Sequence, residues 1–319
     1  MDPIAVLVIA CNRVTVAQIL DKLISYRPSA EKFPIIVSQD CMHDETANVI
    51  RAYADRGVEL HQQPNQTDPM PKSATKKERK WSGYFKIARH YKFALTTVFA
   101  HEKKFDSVVI VEDDLDIAPD FFEYFTMGRQ LLKADPTLYC VSAWNDNGKS
   151  NHVADPAKLY RTDFFGGLGW MIVRELWDDE LAGKWTNKYW DDWFRLPDQR
   201  KGRSCIRPEI GRSSMAISGK KGVSKGQFYK KYLQFIQLND KKVEFTKTDI
   251  AYLLKQNYDQ KFLDEVYALD EISQLSLQSY SSLDLSKSYR IECKCRASTC
   301  CSPGTRISNS LALPLPPLS

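Results

Sequence analysis

The chain has 319 residues, 43% hydrophobic and 27% charged, the balance of a folded globular protein and not of a collagen-like or low-complexity one. A net charge of +5 arises from 45 basic and 40 acidic residues; no basic block carries interleaved aromatics, so nothing points to a nucleic-acid groove. No run of about 18 apolar residues occurs, which excludes a transmembrane helix within these residues.

The opening, MDPIAVLVIAC, lacks a basic leading region and does not read as a signal peptide. Its apolar run, residues 4–10, has the length of a strand. Residues 15–26 carry Val16, Ile19, Leu20, Leu23 and Ile24 at helical spacing. Residues 33–38 form a second buried strand closing at Gln39 and Asp40. Residues 43–53 read as a helix and 58–61 as a short strand. This β-α-β-α-β opening is the pattern of a parallel sheet covered by helices. No G-x-G-x-x-G follows the first strand, which argues against a dinucleotide fingerprint. Residues 63–80 are polar, contain Pro64, Pro69 and Pro71, and read as a loop whose basic end, 71–80, is solvated. Residues 84–100 form an amphipathic helix with Ile87, Tyr91, Ala94, Leu95 and Val98 on one side.

The chain is organised around residues 107–122, SVVIVEDDLDIAPDFF. Val108, Val109, Ile110 and Val111 predict a strand buried on both faces. It stops at Glu112, Asp113 and Asp114, which places three carboxylates at the carboxyl edge of a sheet, where open α/β sheets bind ligands. Hard oxygens there suit Mg²⁺ or Mn²⁺ with phosphate sharing the ion. A solvated acidic turn capping the helix that starts near Pro119 explains the same residues. Residues 121–133 are helical, and 138–143 form another strand ending in a polar turn, 144–148.

Residues 161–170, RTDFFGGLGW, contain glycines that permit close backbone approach, or simply a tight loop between packed aromatics. Residues 190–193, Trp-Asp-Asp-Trp, read either as an aromatic wall around a carboxylate or as a helix packed through its tryptophans with solvated acids. Residues 212–227 are small, polar and Gly-containing, and read as a mobile loop of the lid kind. From residue 278 the composition is rich in Ser, Cys and Pro, and no stable domain is expected there. Of eight cysteines, four are dispersed and four crowd into 293–301. The tail group has no matching His or second spaced pair to make a zinc site. Asn65-Gln66-Thr67 is an N-glycosylation acceptor sequence, relevant only to a lumenal chain.

The segments AVLVIACNR, FPIIVSQDC, FKIARHYKFAL, VEDDLDIAPDFFEYF, VSAWNDNGK, LYRTDFF, GLGW, YWDDWFR, GRSCIRPEI and GVSKGQF closely resemble the N-acetylglucosaminyltransferase I family, in order, over roughly residues 3–272. The resemblance implies a GT-A fold, a mixed α/β sheet sandwiched by helices, occupying residues 1–219. Residues 220–277 would be a lid loop and connecting segment, and 278–319 an atypical tail. It implies Mn²⁺-dependent, inverting transfer of GlcNAc from UDP-GlcNAc to the 2-hydroxyl of the α1,3-linked mannose of an oligomannose N-glycan. The family is Golgi-resident, lumenal, and tied to the membrane by an anchor absent from this chain. By the same resemblance Asp114 would hold the metal, with Glu112 and Asp113 beside the donor sugar and ribose. Asp40 would receive the uracil, with Cys11, Ile87 and His90 near the nucleotide. Arg13, and less directly Arg195 and Arg203, would face the diphosphate. Asp191 would be the general base, Trp190 and Leu168 would wall the GlcNAc, and Ser224 would touch donor phosphate. Cys11–Cys41 and Cys140–Cys205 would be disulfides. Three departures stand out. Gly166 replaces a proline and should loosen its turn, the lid near residues 213–218 is slightly longer, and the family's C-terminal domain has no counterpart here. The last leaves open a non-catalytic chain that binds UDP-GlcNAc; a further alternative is the same transfer onto O-mannosyl glycans.

Overall fold

The structure, a computed structural model, describes residues 2–272 and 289–291. The tail cysteines at 293–301, and all of the atypical tail except 289–291, lie outside the described residues.

Alternating apolar runs and amphipathic segments build the frame. Strand β1 (Ala5–Ala10) is buried throughout, followed by helix α1 (Val16–Tyr26), which buries Val16, Ile19, Leu20 and Leu23. Then come β2 (Ile35–Gln39), α2 (Asp44–Arg51) and β3 (Val58–Gln62). Inside the polar 63–80 segment, α3 (Lys76–Lys80) forms, with Thr75 and Glu78 closing a capping box, which satisfies amides of the first turn. Helix α4 (Gly83–Phe99) buries Phe85, Ala88, His90, Tyr91, Ala94, Leu95 and Val98. Strand β4 (Ser107–Glu112) leads through the acids to β5 (Leu115–Ile117), α5 (Phe121–Ala134) and β6 (Leu138–Ser142). Next are β7 (Leu159–Thr162), β8 (Trp170–Val173), α6 (Trp190–Arg195), α7 (Pro197–Arg200), β9 (Ser204–Pro208), β10 (Ser213–Met215) and α8 (Gln227–Lys231).

Eight strands form one mixed sheet in the order β3-β2-β1-β4-β8-β6-β9-β7. The first four are parallel, with Ile9 opposite Glu112 and Ala10 opposite Gln39. The expected parallel opening is therefore present. Strand β8 then enters antiparallel, with Trp170 opposite Ile110 on one side and Ser142 on the other. This puts the glycine-rich loop that precedes β8 at the same sheet edge as Glu112. A separate two-stranded ribbon pairs β10 with β5, Met215 opposite Leu115, so the segment read as a mobile loop begins as a strand anchored beside the acids. Both dispersed cysteine pairs are disulfides, Cys11–Cys41 and Cys140–Cys205.

The described residues divide into two compact units, one ending at Ile250 and one beginning at Ala251. The division falls within the 220–277 connecting segment. The second unit holds α9 (Lys255–Tyr267) and a short parallel pair, β11 (Glu271–Ile272) with β12 (Arg290–Ile291). Among the described residues no helix is long and apolar enough to cross a membrane.

Candidate active site

The site grows from the parallel register of β1 and β4. Beyond Ala10 and Glu112 the two strands end together, so Cys11 and Arg13 face Asp113 and Asp114. The Asp113 amide donates to Ile9 O at 3.0 Å, and the Cys11 amide donates to Asp113 Oδ2 at 3.4 Å. Arg13 Nη1 pairs with Asp113 Oδ1 and lies 3.0 Å from Asp114 Oδ2. These are not solvated turn acids. Asp113 and Asp114 are buried, and burial pushes both carboxyls up, Asp113 to about 6 against the pull of Arg13. Glu112 is pushed up to about 8, by burial first and then by Asp114. The Tyr91 hydroxyl donates to Glu112 Oε1 at 2.8 Å; Tyr91, read from sequence only as part of an apolar helix face, therefore also serves the site.

Whether this cluster fits a divalent cation can be tested on one atom. Asp114 Oδ1 is buried and has no hydrogen-bond partner among the described residues. A buried carboxylate oxygen without a partner is costly unless something else meets it. Among the described residues no three His, Cys, Asp or Glu side chains gather into a protein cage. One hard carboxylate oxygen that shares an ion with phosphate oxygens fits the cluster, as Mg²⁺- and Mn²⁺-type sites do.

The segment after β10 closes over this cluster. The Ala216 amide donates to Asp114 O at 2.8 Å, and a Cβ on Gly219 would stand 3.5 Å from Asp114 Oδ2. A Cβ on Gly222 would stand 3.7 Å from Arg13 Nη2. Residues 217–221 form a 3-10 helix, and half-buried Ser224 follows in a turn. Ser218 Oγ is buried and has no hydrogen-bond partner among the described residues, a feature that composition gave no reason to select.

At the far end of β2, buried Asp40 accepts from Gln66 Nε2 at 3.1 Å and lies 3.4 Å from the Arg89 guanidinium. His90 is buried beside it and hydrogen-bonded to Ser38 Oγ at 2.9 Å. Gln66 and Arg89 were not foreseen, because nothing in their local sequence marks them as partners of Asp40. Burial holds the His90 imidazole down to about 4, although Asp40 opposes it. Its stabilising contribution is therefore complete above about pH 6.5 and is lost as pH falls toward 4, because only the unfolded chain takes up the proton in that window. Urea unfolding should show a His90 share of ~2 kcal/mol lost between about pH 7.5 and about pH 5. His90→Gln should flatten that part of the slope; equal losses in both chains would remove His90 as its cause.

Helix α6 brings the second half of the site. Asp191 is 41% exposed, and Arg195 Nη1 reaches Asp191 Oδ2 at 3.1 Å and Asp192 Oδ1 at 3.0 Å. Arg195 Nε also donates to Phe165 O at 3.0 Å. Arg195 thus positions Asp191 against the glycine-rich loop. Trp190 does not stand as an open wall: its ring stacks on Tyr91 at 4.2 Å and on Trp170 at 5.4 Å, within the core. Burial first, and then the charges of Glu112, Asp191 and Asp114, push the Tyr91 hydroxyl up, and the stack of Trp190 on Tyr91 joins α6 to the side chain that bonds Glu112. Ile87 packs half-buried on the same cluster.

Leu168 sits between Gly167 and Gly169 with φ of +49°, flanked by +63° and +92°. A left-handed leucine stores strain, which the Ser213 hydroxyl bond to Leu168 O helps hold. Gly166 lies against Ser142 and Trp144. Arg203 is a correction. It precedes β9, which runs parallel to β6 with Ser204 opposite Leu138, so it stands at the other sheet edge, bound to Glu180 at 2.8 Å.

The family model described as the GNT-I family matches residues 1–299. The Arabidopsis thaliana alpha-1,3-mannosyl-glycoprotein 2-beta-N-acetylglucosaminyltransferase is 41% identical over 264 residues, 82% of this chain and 57% of that relative. The chain therefore spans a little more than half the length of this relative. Among solved structures, S. aureus TarS 1–349 is similar at 11% identity and TM-score 0.46, covering 68% of this chain and 61% of that one. The Pyrobaculum calidifontis mannosyltransferase PcManGT, in complex with GDP-Man and Mn²⁺, is similar at 20% identity and TM-score 0.44, covering 65% and 55%. Both structural likenesses are remote. On the family match and the identity to the plant relative, this chain belongs to the GNT-I family.

Proposed function

We propose that the chain is a Mn²⁺-dependent, inverting GT-A glycosyltransferase. It moves GlcNAc from UDP-GlcNAc to the 2-hydroxyl of the α1,3-linked mannose of an oligomannose N-glycan, in the Golgi lumen. The observation that carries this reading is the pairing of a buried, partly orphaned Asp114 beside Arg13 with a solvent-reaching Asp191 held by Arg195. Membership of the GNT-I family and the name of the plant relative supply the substrate class.

Asp114 would hold the ion, which when bound offsets charge on the leaving diphosphate. Asp40 and His90 bind the nucleobase end, and Arg13 turns from the acids toward the diphosphate. Leu168 borders the donor sugar, and the segment carrying Ser218 and Ser224 excludes water above it. Asp191 takes the proton of the acceptor hydroxyl as that oxygen attacks from the face opposite the nucleotide.

Because the chain spans 57% of its relative, a donor-binding chain without transfer is the second reading. Labelled GlcNAc transfer to a five-mannose N-glycan, with and without Mn²⁺ and beside an O-mannosyl acceptor, separates the readings. Metal-dependent transfer to the N-glycan is expected. Retained UDP binding without transfer selects the second reading, and preference for the O-mannosyl acceptor changes the substrate.

A further inference from the structure

Asn65-Gln66-Thr67 is the one Asn-X-Ser/Thr sequence in the chain, and the proposed transfer chemistry makes no use of Asn65. All three residues are exposed, in the loop between β3 and α3. Thr67 Oγ1 donates to Asn65 Oδ1 at 2.6 Å, and the Thr67 amide donates to the same oxygen at 3.0 Å. Both bonds engage the carboxamide oxygen, and the residue itself is exposed. The loop around it is fixed. The buried Gln63 amide donates to Gln39 O at 2.8 Å, Gln66 Nε2 donates to Gln63 O at 2.7 Å, and Arg89 donates to Thr67 O. Asn65 is held at an outer corner and is not folded into the site.

Two further observations bear on what occupies that corner. First, Cys11–Cys41 and Cys140–Cys205 are closed. Structural disulfides persist in the oxidising secretory compartments, which are also where Asn-X-Ser/Thr sequences meet the glycosylating machinery. Second, Asn65 lines an open depression of about 640 Å³ together with His61, Arg89, Lys92, Phe93 and His101. Its lining is mostly apolar and includes Phe93, the kind of surface on which the apolar face of a sugar ring packs.

We propose that Asn65 carries an N-linked oligosaccharide whose first sugars lie in this depression between β3 and α4. In the modification a C–N bond forms between Asn65 Nδ2 and the anomeric carbon of the first sugar. The C–O bond to the diphosphate of a lipid-linked oligosaccharide donor breaks, and the amide proton leaves with the diphosphate. A glycan added to the nascent chain survives folding here because Asn65 is exposed. The modification stands apart from the transferase reading, since it needs only passage through the secretory pathway.

The test is the full chain, directed into the secretory pathway of a eukaryotic cell line, with intact mass measured before and after peptide N-glycosidase. The secreted chain should lose a glycan's mass and show aspartate at position 65 after digestion. Asn65→Gln and Thr67→Ala should each abolish the shift, whereas Thr67→Ser should retain it. The glycosylated chain should melt at a higher temperature than the Asn65→Gln chain, and in a Phe93→Ala background that difference should vanish. A secreted chain of unmodified mass, beside a control protein that is glycosylated in the same cells, would overturn the proposal. A melting difference indifferent to Phe93→Ala would overturn the placement in the depression.

Discussion

Replacing Asp191 by Asn is expected to lower GlcNAc transfer by about a thousandfold while leaving UDP binding in place. The amide matches the carboxylate in shape, and its oxygen can still accept from Arg195, which reaches Asp191 at 3.1 Å. What it cannot do is take a proton from an attacking hydroxyl. The loss should therefore appear in kcat, with the KM for donor little changed. Asp192→Asn is the control: that side chain is 74% exposed and shares the same arginine, so its loss alters local charge without removing a base. Transfer by Asp191→Asn within tenfold of the unmutated chain, or equal losses in both variants, would exclude Asp191 as the base. Arg195→Gln should fall between them, because it releases Asp191 from its tie to the glycine-rich loop but leaves the carboxylate.

Half of this site is legible in the sequence because apolar runs announce their own ends. Residues 4–10 and 108–111 each read as a buried strand, so the three acids could be placed at a sheet edge before any register was known, whereas Cys11 and Arg13 entered through the family resemblance. The family resemblance added Asp191 and the two disulfide pairings, and the structure closes both disulfides. The rest depends on chain crossings that leave no local mark. Tyr91 has the spacing of a core residue and is one, yet its hydroxyl reaches Glu112 twenty-one positions away. Gln66 and Arg89 converge on Asp40 from a loop and a helix. Trp190 has the composition of a binding wall, but tertiary packing draws it into the aromatic core. Arg203 is only eight positions from Arg195, and the parallel pairing of β9 with β6 carries it to the opposite edge. The segment 212–227 reads as loop from its small polar residues, because the pairing of β10 with β5 and the role of Arg212 become visible only in three dimensions.

Arg212→Leu is expected to destabilise the fold by ~3–5 kcal/mol, the range for removing one partner of a buried ion pair. Its side chain is fully buried, and Asp120 opposite is 2% exposed. Arg212 Nε and Nη2 donate to Asp120 Oδ2 at 3.2 and 2.9 Å, and Nη1 donates to Ile210 O at 2.8 Å. Asp120, positioned as a helix cap, makes no side-chain bond to its own helix; it accepts instead from Asn239 Nδ2 at 3.1 Å and from the Val243 amide at 3.3 Å. Leucine would leave that carboxylate buried with two neutral donors among the described residues. The backbone of Arg212 adds a second consequence. Its amide donates to Ala143 O at 2.7 Å, and its carbonyl accepts from the Ala118 amide at 3.0 Å, so the residue joins the ends of β5 and β6 to the start of β10. Loosening it should free the segment that lies over Asp114 before the sheet itself unfolds. Urea unfolding of the two single variants, Arg212→Leu and Asp120→Leu, and of the double variant measures the pair. The double variant should lose clearly less than the sum of the singles, because it strands no charge. Hydrogen exchange should show residues 213–222 opening first in Arg212→Leu. Additive losses, or a single-variant cost below ~1 kcal/mol, would mean that the pair is no more than an exposed ion pair would be and that β10 is held by its ribbon with β5 alone.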